Sequence, residues 1–128
     1  MYLLIDTSVR DEIVLSFFDQ KKKIDTHVVA GNRELLQVID SFLKSNKKTT
    51  ADINGMMVVV GEGSFTSTRL AVTVANSVAY VKQIPLLAIS KEQASDPQAL
   101  IEEVARQPIG QYLSATYSGM PNLGQSKK

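Results

Sequence analysis

The sequence predicts an α/β domain: a mixed five-stranded sheet of order 3-2-1-4-5, with the second strand antiparallel and helices in the crossovers. Three observations carry this. Tyr2–Ile5, Met56–Val60 and Ile84–Ile89 are unbroken apolar runs, the pattern of parallel strands buried on both faces. Two further strand-like segments follow the first run before any helical pattern begins, which makes an opening meander. Long stretches of helical periodicity then separate the later strands, as right-handed crossovers require.

Taken in order, Tyr2–Ile5 is stopped by the turn formers Asp6, Thr7 and Ser8. Residues Glu12–Phe18 are β-branched and aromatic, Asp19-Gln20 turns the chain, and Lys22–Val29 alternates polar with apolar. Gly31-Asn32 ends that strand, with Asn32 as cap for a helix to about Asn46 whose apolar face is Leu35, Leu36, Ile39, Phe42 and Leu43. Met56–Val60 is followed by a glycine-containing loop and a helix from Thr66 to about Lys82. That helix carries a stripe of Ala71, Ala75 and Ala79 beside another of Leu70, Val74, Val78 and Val81. Pro85 is tolerable at the start of the next strand, and Asp96-Pro97 is expected to cap and open a helix through Leu100, Ile101 and Val104 to Arg106. Gln111–Tyr117 has the look of an edge segment, and 118–128, rich in Gly, Pro, Asn, Ser and Lys, of a loosely held tail, so the domain is expected over 1–117. The order βββαβαβα is that of the ribonuclease H-like, actin-like ATPase and sugar-kinase fold, here as a single lobe.

A chain of 128 residues buries roughly two-thirds of its unfolded surface, enough for one self-sufficient core. Fourteen basic against 13 acidic residues leave a net charge of +1, which argues against bulk electrostatic binding of nucleic acid or anionic membrane. With no cysteine and a single histidine, His27, disulfides, thiolate chemistry and a His-rich metal site are not expected, nor is a cofactor. No apolar run approaches the length of a membrane span, and a cytoplasmic location is expected.

The segment Gly61-Glu62-Gly63-Ser64-Phe65-Thr66 lies between a strand's carboxyl end and a helix's amino end, where backbone N–H groups favour an anion. A phosphate cradle is therefore one reading. Ser64 stands where the Walker pattern needs lysine, no third glycine follows for a dinucleotide fingerprint, and Glu62 puts negative charge where the anion would sit. The competing reading is architectural: Ser64 or Thr66 caps the helix, Phe65 enters the core, and Arg69 braces the loop through Glu62.

Gly61, Gly63, Ser64, Phe65, Thr66 and Arg69, with their flanking strand and helix, resemble the Gly-x-Gly-Pro-Gly-Ser-Phe-Thr-Gly-x-Arg signature of the TsaB (YeaZ) family of bacterial tRNA threonylcarbamoyladenosine biosynthesis proteins. Leu4–Ser8, Leu35-Leu36 with Ile39-Asp40, and Ala79-Tyr80 through Ile84-Pro85-Leu86 into Ser90 extend the likeness over about residues 1–90. Glu62 stands in place of the family's usual proline and Ser67 in place of a glycine, and the length suggests the family's amino-terminal lobe in a natural short form. The resemblance implies a non-catalytic scaffold that supports the catalytic subunit TsaD, alongside the ATPase TsaE, in modifying adenosine 37 of tRNA, with tRNA contact indirect. It also implies that Leu36, Ile39, Leu43, Ala71, Ala75 and Ala79 form the partner surface, which can equally drive a homodimer.

Two other classes stay open at this point. A minimal nucleotide-binding ATPase or phosphotransferase would use Asp6, Thr7 and Ser8 with the glycine loop, Asp6 standing where kinases of this fold place a metal-associated carboxylate. Asp6 equally suits an Asx turn that ends the strand. A self-associating module with another client is the third class. Lys21–Lys23 could meet tRNA phosphates, or guard a sheet edge.

Overall fold

β1 (Tyr2–Asp6) lies at the centre of a five-stranded sheet of order β3-β2-β1-β4-β5, where β2 is Glu12–Phe18, β3 Lys23–Val29, β4 Gly55–Val59 and β5 Leu86–Ile89. The structure is a computed structural model and describes residues 1–61 and 65–109. β1 pairs antiparallel with β2, Leu3 opposite Phe17, and parallel with β4, Leu3 opposite Met56. β4 pairs parallel with β5, and β2 antiparallel with β3. Order and directions are those expected of the ribonuclease H-like, actin-like lobe.

The continuous apolar runs are explained by two cores, one on each face. Successive side chains of a strand alternate sides, so Leu3 and Ile5 of β1 with Met56 and Val58 of β4 enter one cluster, and Leu4 with Met57 and Val59 the other. The first cluster is roofed by α1 (Leu35–Ser45), through Leu35, Ile39, Phe42 and Leu43, and by α2 (Phe65–Lys82), through Ala71, Ala75 and Ala79. The second is covered by α3 (Ile101–Ala105), through Ile101 and Val104. Phe17 and Phe18, adjacent in sequence and 1% and 0% exposed, serve opposite layers. Tyr2 lies against Phe18 at 6.1 Å between ring centroids.

The helix ends show the backbone chemistry expected of them. After α1, Lys47 N–H donates to Lys44 O (3.0 Å) and Lys48 N–H to Leu43 O (2.8 Å), with Lys47 at φ 59°. α2 ends in the same way, Gln83 at φ 56° and Ile84 N–H on Ala79 O at 3.1 Å. Both are left-handed terminations that satisfy the last carbonyls.

Two expectations about helix starts are corrected. α1 begins at Leu35: Asn32–Glu34 form a 3-10 turn, closed by Glu34 N–H on Gly31 O at 3.0 Å, so Asn32 is the first residue of that turn and not the α-helical cap. Pro97–Leu100 likewise forms a 3-10 turn, and only Ile101–Ala105 is α-helical. Asp96 makes no capping hydrogen bond there. The turn is instead pinned to the far hairpin, where Gln98 Nε2 donates to Asp19 O at 2.9 Å, drawing the segment across the sheet. The anticipated segment Gln111–Tyr117, the boundary at 117 and the tail 118–128 lie outside the described residues.

Candidate functional site

Parallel pairing of β1, β4 and β5 brings their carboxyl ends to one edge of the sheet, where Asp6, Gly61 and Lys91 follow or finish them. This is the place where open α/β sheets bind ligands. Asp6 is 5% exposed. Its Oδ1 accepts the Ser8 N–H at 2.9 Å, the Asx turn that its sequence context favours. Its Oδ2 accepts from Lys91 Nζ at 2.6 Å. Burial pushes the Asp6 carboxyl up, but the hydrogen bonds from Lys91 and Ser8 outweigh it and hold the pKa below the ordinary carboxylate value.

Lys91 is aimed by its own turn. Ser90 N–H donates to Gln93 Oε1 at 2.8 Å and Gln93 N–H donates to Ser90 Oγ at 3.1 Å, a reciprocal pair that fixes the chain as it leaves β5. An isolated lysine in a polar loop carries no local signal of a partner 85 residues away, so sequence reasoning missed it. Thr7 is buried at 2% exposure, and Ser8 Oγ is a buried hydroxyl without a hydrogen-bond partner among the described residues.

Gly61 takes φ +89°, a conformation that only glycine adopts cheaply, which accounts for the first glycine of the loop. Gly63 and Ser64, with the anticipated Glu62–Arg69 brace, lie outside the described residues. Phe65 and Thr66 are the first two residues of α2, so Thr66 is inside the helix and is not its cap. Arg69 is exposed on α2, and its carbonyl accepts from Thr73 Oγ1 at 2.9 Å.

The helix surface differs from the expected one. Ala71, Ala75 and Ala79 are 0%, 0% and 3% exposed and pack under α2 in the first core, as do Ile39 and Leu43 under α1 at 6% and 3%. These five are taken up within the chain, the small residues that let a helix approach closely serving here to seat α2 on its own sheet. Of the six residues expected at the interface only Leu36, at 60% exposure, faces outward. The outer face of α2 carries Arg69, Thr73, Ser77 and Tyr80, recurring at spacings of four and three, with Val81 beside them. Tyr80 and Val81 are 71% and 74% exposed, so Val81 parts from Val74 of its stripe, which is 8% exposed.

His27 stands exposed on β3 with Nε2 at 2.5 Å from Glu12 Oε1. No cluster of three or more His, Cys, Asp or Glu that could hold a metal occurs among the described residues, and none of their helices is long and apolar enough to cross a membrane.

The fold matches solved structures. YeaZ from Pseudomonas aeruginosa superposes with a TM-score of 0.66 at 22% identity, covering 80% of this chain and 49% of that one. A second structure from Pseudomonas aeruginosa, described as an uncharacterized protein with similarity to peptidase YeaZ, gives 0.65 and 22%, covering 80% and 48%. The chain thus spans about half the length of these YeaZ structures and shares their fold. No curated protein matches it in sequence. The family described as TsaD: tRNA N6-adenosine threonylcarbamoyltransferase matches over residues 30–119, starting after the Asp-Thr-Ser turn and continuing past Ser90, where the motif resemblance stops. With a match over most of its length and the YeaZ-like sheet beneath it, the chain belongs to the TsaD tRNA N6-adenosine threonylcarbamoyltransferase family.

Proposed function

We propose that this protein is a non-catalytic partner subunit in the N6-threonylcarbamoylation of tRNA adenosine, docking a TsaD-like catalytic subunit through the outer faces of α1 and α2. The observation that carries the reading is the pair Tyr80 and Val81, two large side chains left 71% and 74% exposed at the end of a helix whose opposite face is buried through Ala71, Ala75 and Ala79. An aromatic and a β-branched residue side by side, rimmed by Thr73 and Ser77, have the composition of an interface anchor with a polar border. Leu36 on α1, in the same layer, adds apolar surface.

A supporting role fits the carboxyl edge of the sheet better than phosphoryl transfer does. Both oxygens of Asp6 are engaged, one by a backbone N–H and one by an ammonium, so the carboxylate has its charge compensated internally. The glycine loop lacks the lysine that would reach outer phosphates.

The test is co-elution of the chain with the TsaD-like catalytic subunit of its own organism on a sizing column, beside Tyr80→Asp. Co-elution lost in the variant supports the reading. Failure of the unaltered chain to bind at micromolar concentration overturns it, and saturable binding of ATP with magnesium by the chain alone would move it toward the phosphotransferase class.

A further inference from the structure

The outer edge of β3 is unpaired among the described residues. Ala30 N–H bonds Asp11 O and Asp19 N–H bonds Lys22 O, and with the register of the ladder this puts Ile24, Thr26 and Val28 in hydrogen-bonded pairs with β2. The backbone groups of Lys23, Asp25, His27 and Val29 therefore point away from the sheet. Exposed edges are usually guarded by lysine, yet Lys23 Nζ lies 3.3 Å from Asp25 Oδ2, so its charge is compensated within the strand.

We propose that this edge pairs with the β3 edge of a second copy, antiparallel about a two-fold axis at Thr26. The sequence of the strand is self-complementary in that register. Asp25 falls opposite His27 of the second copy, Lys23 opposite Val29, and Ile24 opposite Val28, with Thr26 facing itself. The outward backbone groups of residues 23, 25, 27 and 29 then meet one another as hydrogen-bonded pairs. Moving the axis one residue either way sets Asp25 against Asp25 or His27 against His27 and gives up the Asp25–His27 pairing of an acceptor with a ring N–H, so side-chain complementarity selects the register centred on Thr26. Beside the strand, a groove of about 510 Å³ between β3 and α1 has Ile24, Val28, Val38 and Phe42 among its walls, so the Ile24–Val28 pairs would form along it. The surface is separate from the outer face of α2, so a partner on Tyr80 and a second copy on β3 can be held together.

The test needs only the intact chain. Sedimentation at rising concentration is expected to show the mass doubling, with amide exchange at Lys23, Asp25, His27 and Val29 slowing in step. Thr26→Asp and Thr26→Lys place like charges across the axis, so each alone is expected to stay monomeric, and an equimolar mixture to recover the dimer. If either variant fails to fold, amide exchange in the unaltered chain decides. A monomer at every concentration overturns the proposal, as does a dimer whose four amides stay unprotected. Protection of those amides that is independent of concentration also overturns it, by assigning the edge to residues 110–128 of the same chain.

Discussion

Lys91 Nζ lies 2.6 Å from Asp6 Oδ2, closing the end of β5 onto the end of β1 across 85 residues of sequence. The Asp6 side chain is 6% exposed and the Lys91 side chain 40%, so the pair is a half-solvated clasp over a buried carboxylate. Lys91→Met leaves that carboxylate without its cation and is expected to cost about 1–3 kcal/mol, below the range for a fully buried pair because water still reaches the site. Asp6→Asn keeps the Asx acceptor and costs about 1 kcal/mol. The double variant should lose less than the sum, as measured by urea denaturation at neutral pH.

The same pair predicts a pH dependence. The folded-state pKa of Asp6 lies below its ordinary value of 3.8, so the stabilisation is present above that value and is lost as pH falls through the lowered folded pKa. The stability gap between the unaltered protein and Asp6→Asn should therefore be constant near neutrality and close below about pH 4. A gap that widens on acidification would contradict the assignment.

Ala75 is 0% exposed between α2 and the sheet. Ala75→Glu buries a carboxylate without a partner and should cost about 3–5 kcal/mol, so the domain melts early or fails to fold. Circular dichroism melts report it directly. A folded Ala75→Glu protein with unchanged midpoint would mean that α2 does not seat as described.

Tyr80→Asp is the converse. Its ring is 71% exposed, so the stability change should stay within about 0.5 kcal/mol. Loss of an aromatic anchor at the proposed docking face should weaken binding of the catalytic subunit by about 2 kcal/mol, roughly thirtyfold. Titration calorimetry against that subunit gives the number.

Gly55 opens β4 where no side chain fits. A Cβ built there lies 2.8 Å from Val104 Cγ1 and 2.9 Å from the Tyr2 ring, and Val104 is 0% exposed with nowhere to retreat. Gly55→Ala is expected to cost about 1–3 kcal/mol as overpacking. A lowered urea midpoint with an unchanged slope would show it.

Much of this is legible in the sequence itself. The runs at Tyr2, Met56 and Ile84 announced central strands, because a strand with helices on both faces must be apolar on both. The Asp6 turn and the glycine demanded at position 61 follow from local backbone chemistry alone. The helix starts near Asn32 and Asp96 are not legible there, because a cap residue is only permissive. Gly31 O closed a 3-10 turn in one case, and Gln98 was pulled to the distant Asp19–Lys22 turn in the other.

Sequence alone determined the element order, the sheet and most of the faces of α1 and α2 that must be covered, since periodicity records which side chains avoid water; Leu36 and Val81 are the exceptions that turn outward. What covers them is a different matter. An alanine stripe fits equally well against a sister subunit or against the chain's own β4, and only the tertiary structure set Ala71, Ala75 and Ala79 inward and left Tyr80 and Val81 outside. The same holds for Lys91 and Asp6: local sequence encodes conformation, whereas a contact between residues 85 positions apart exists only once the sheet has brought two strand ends together.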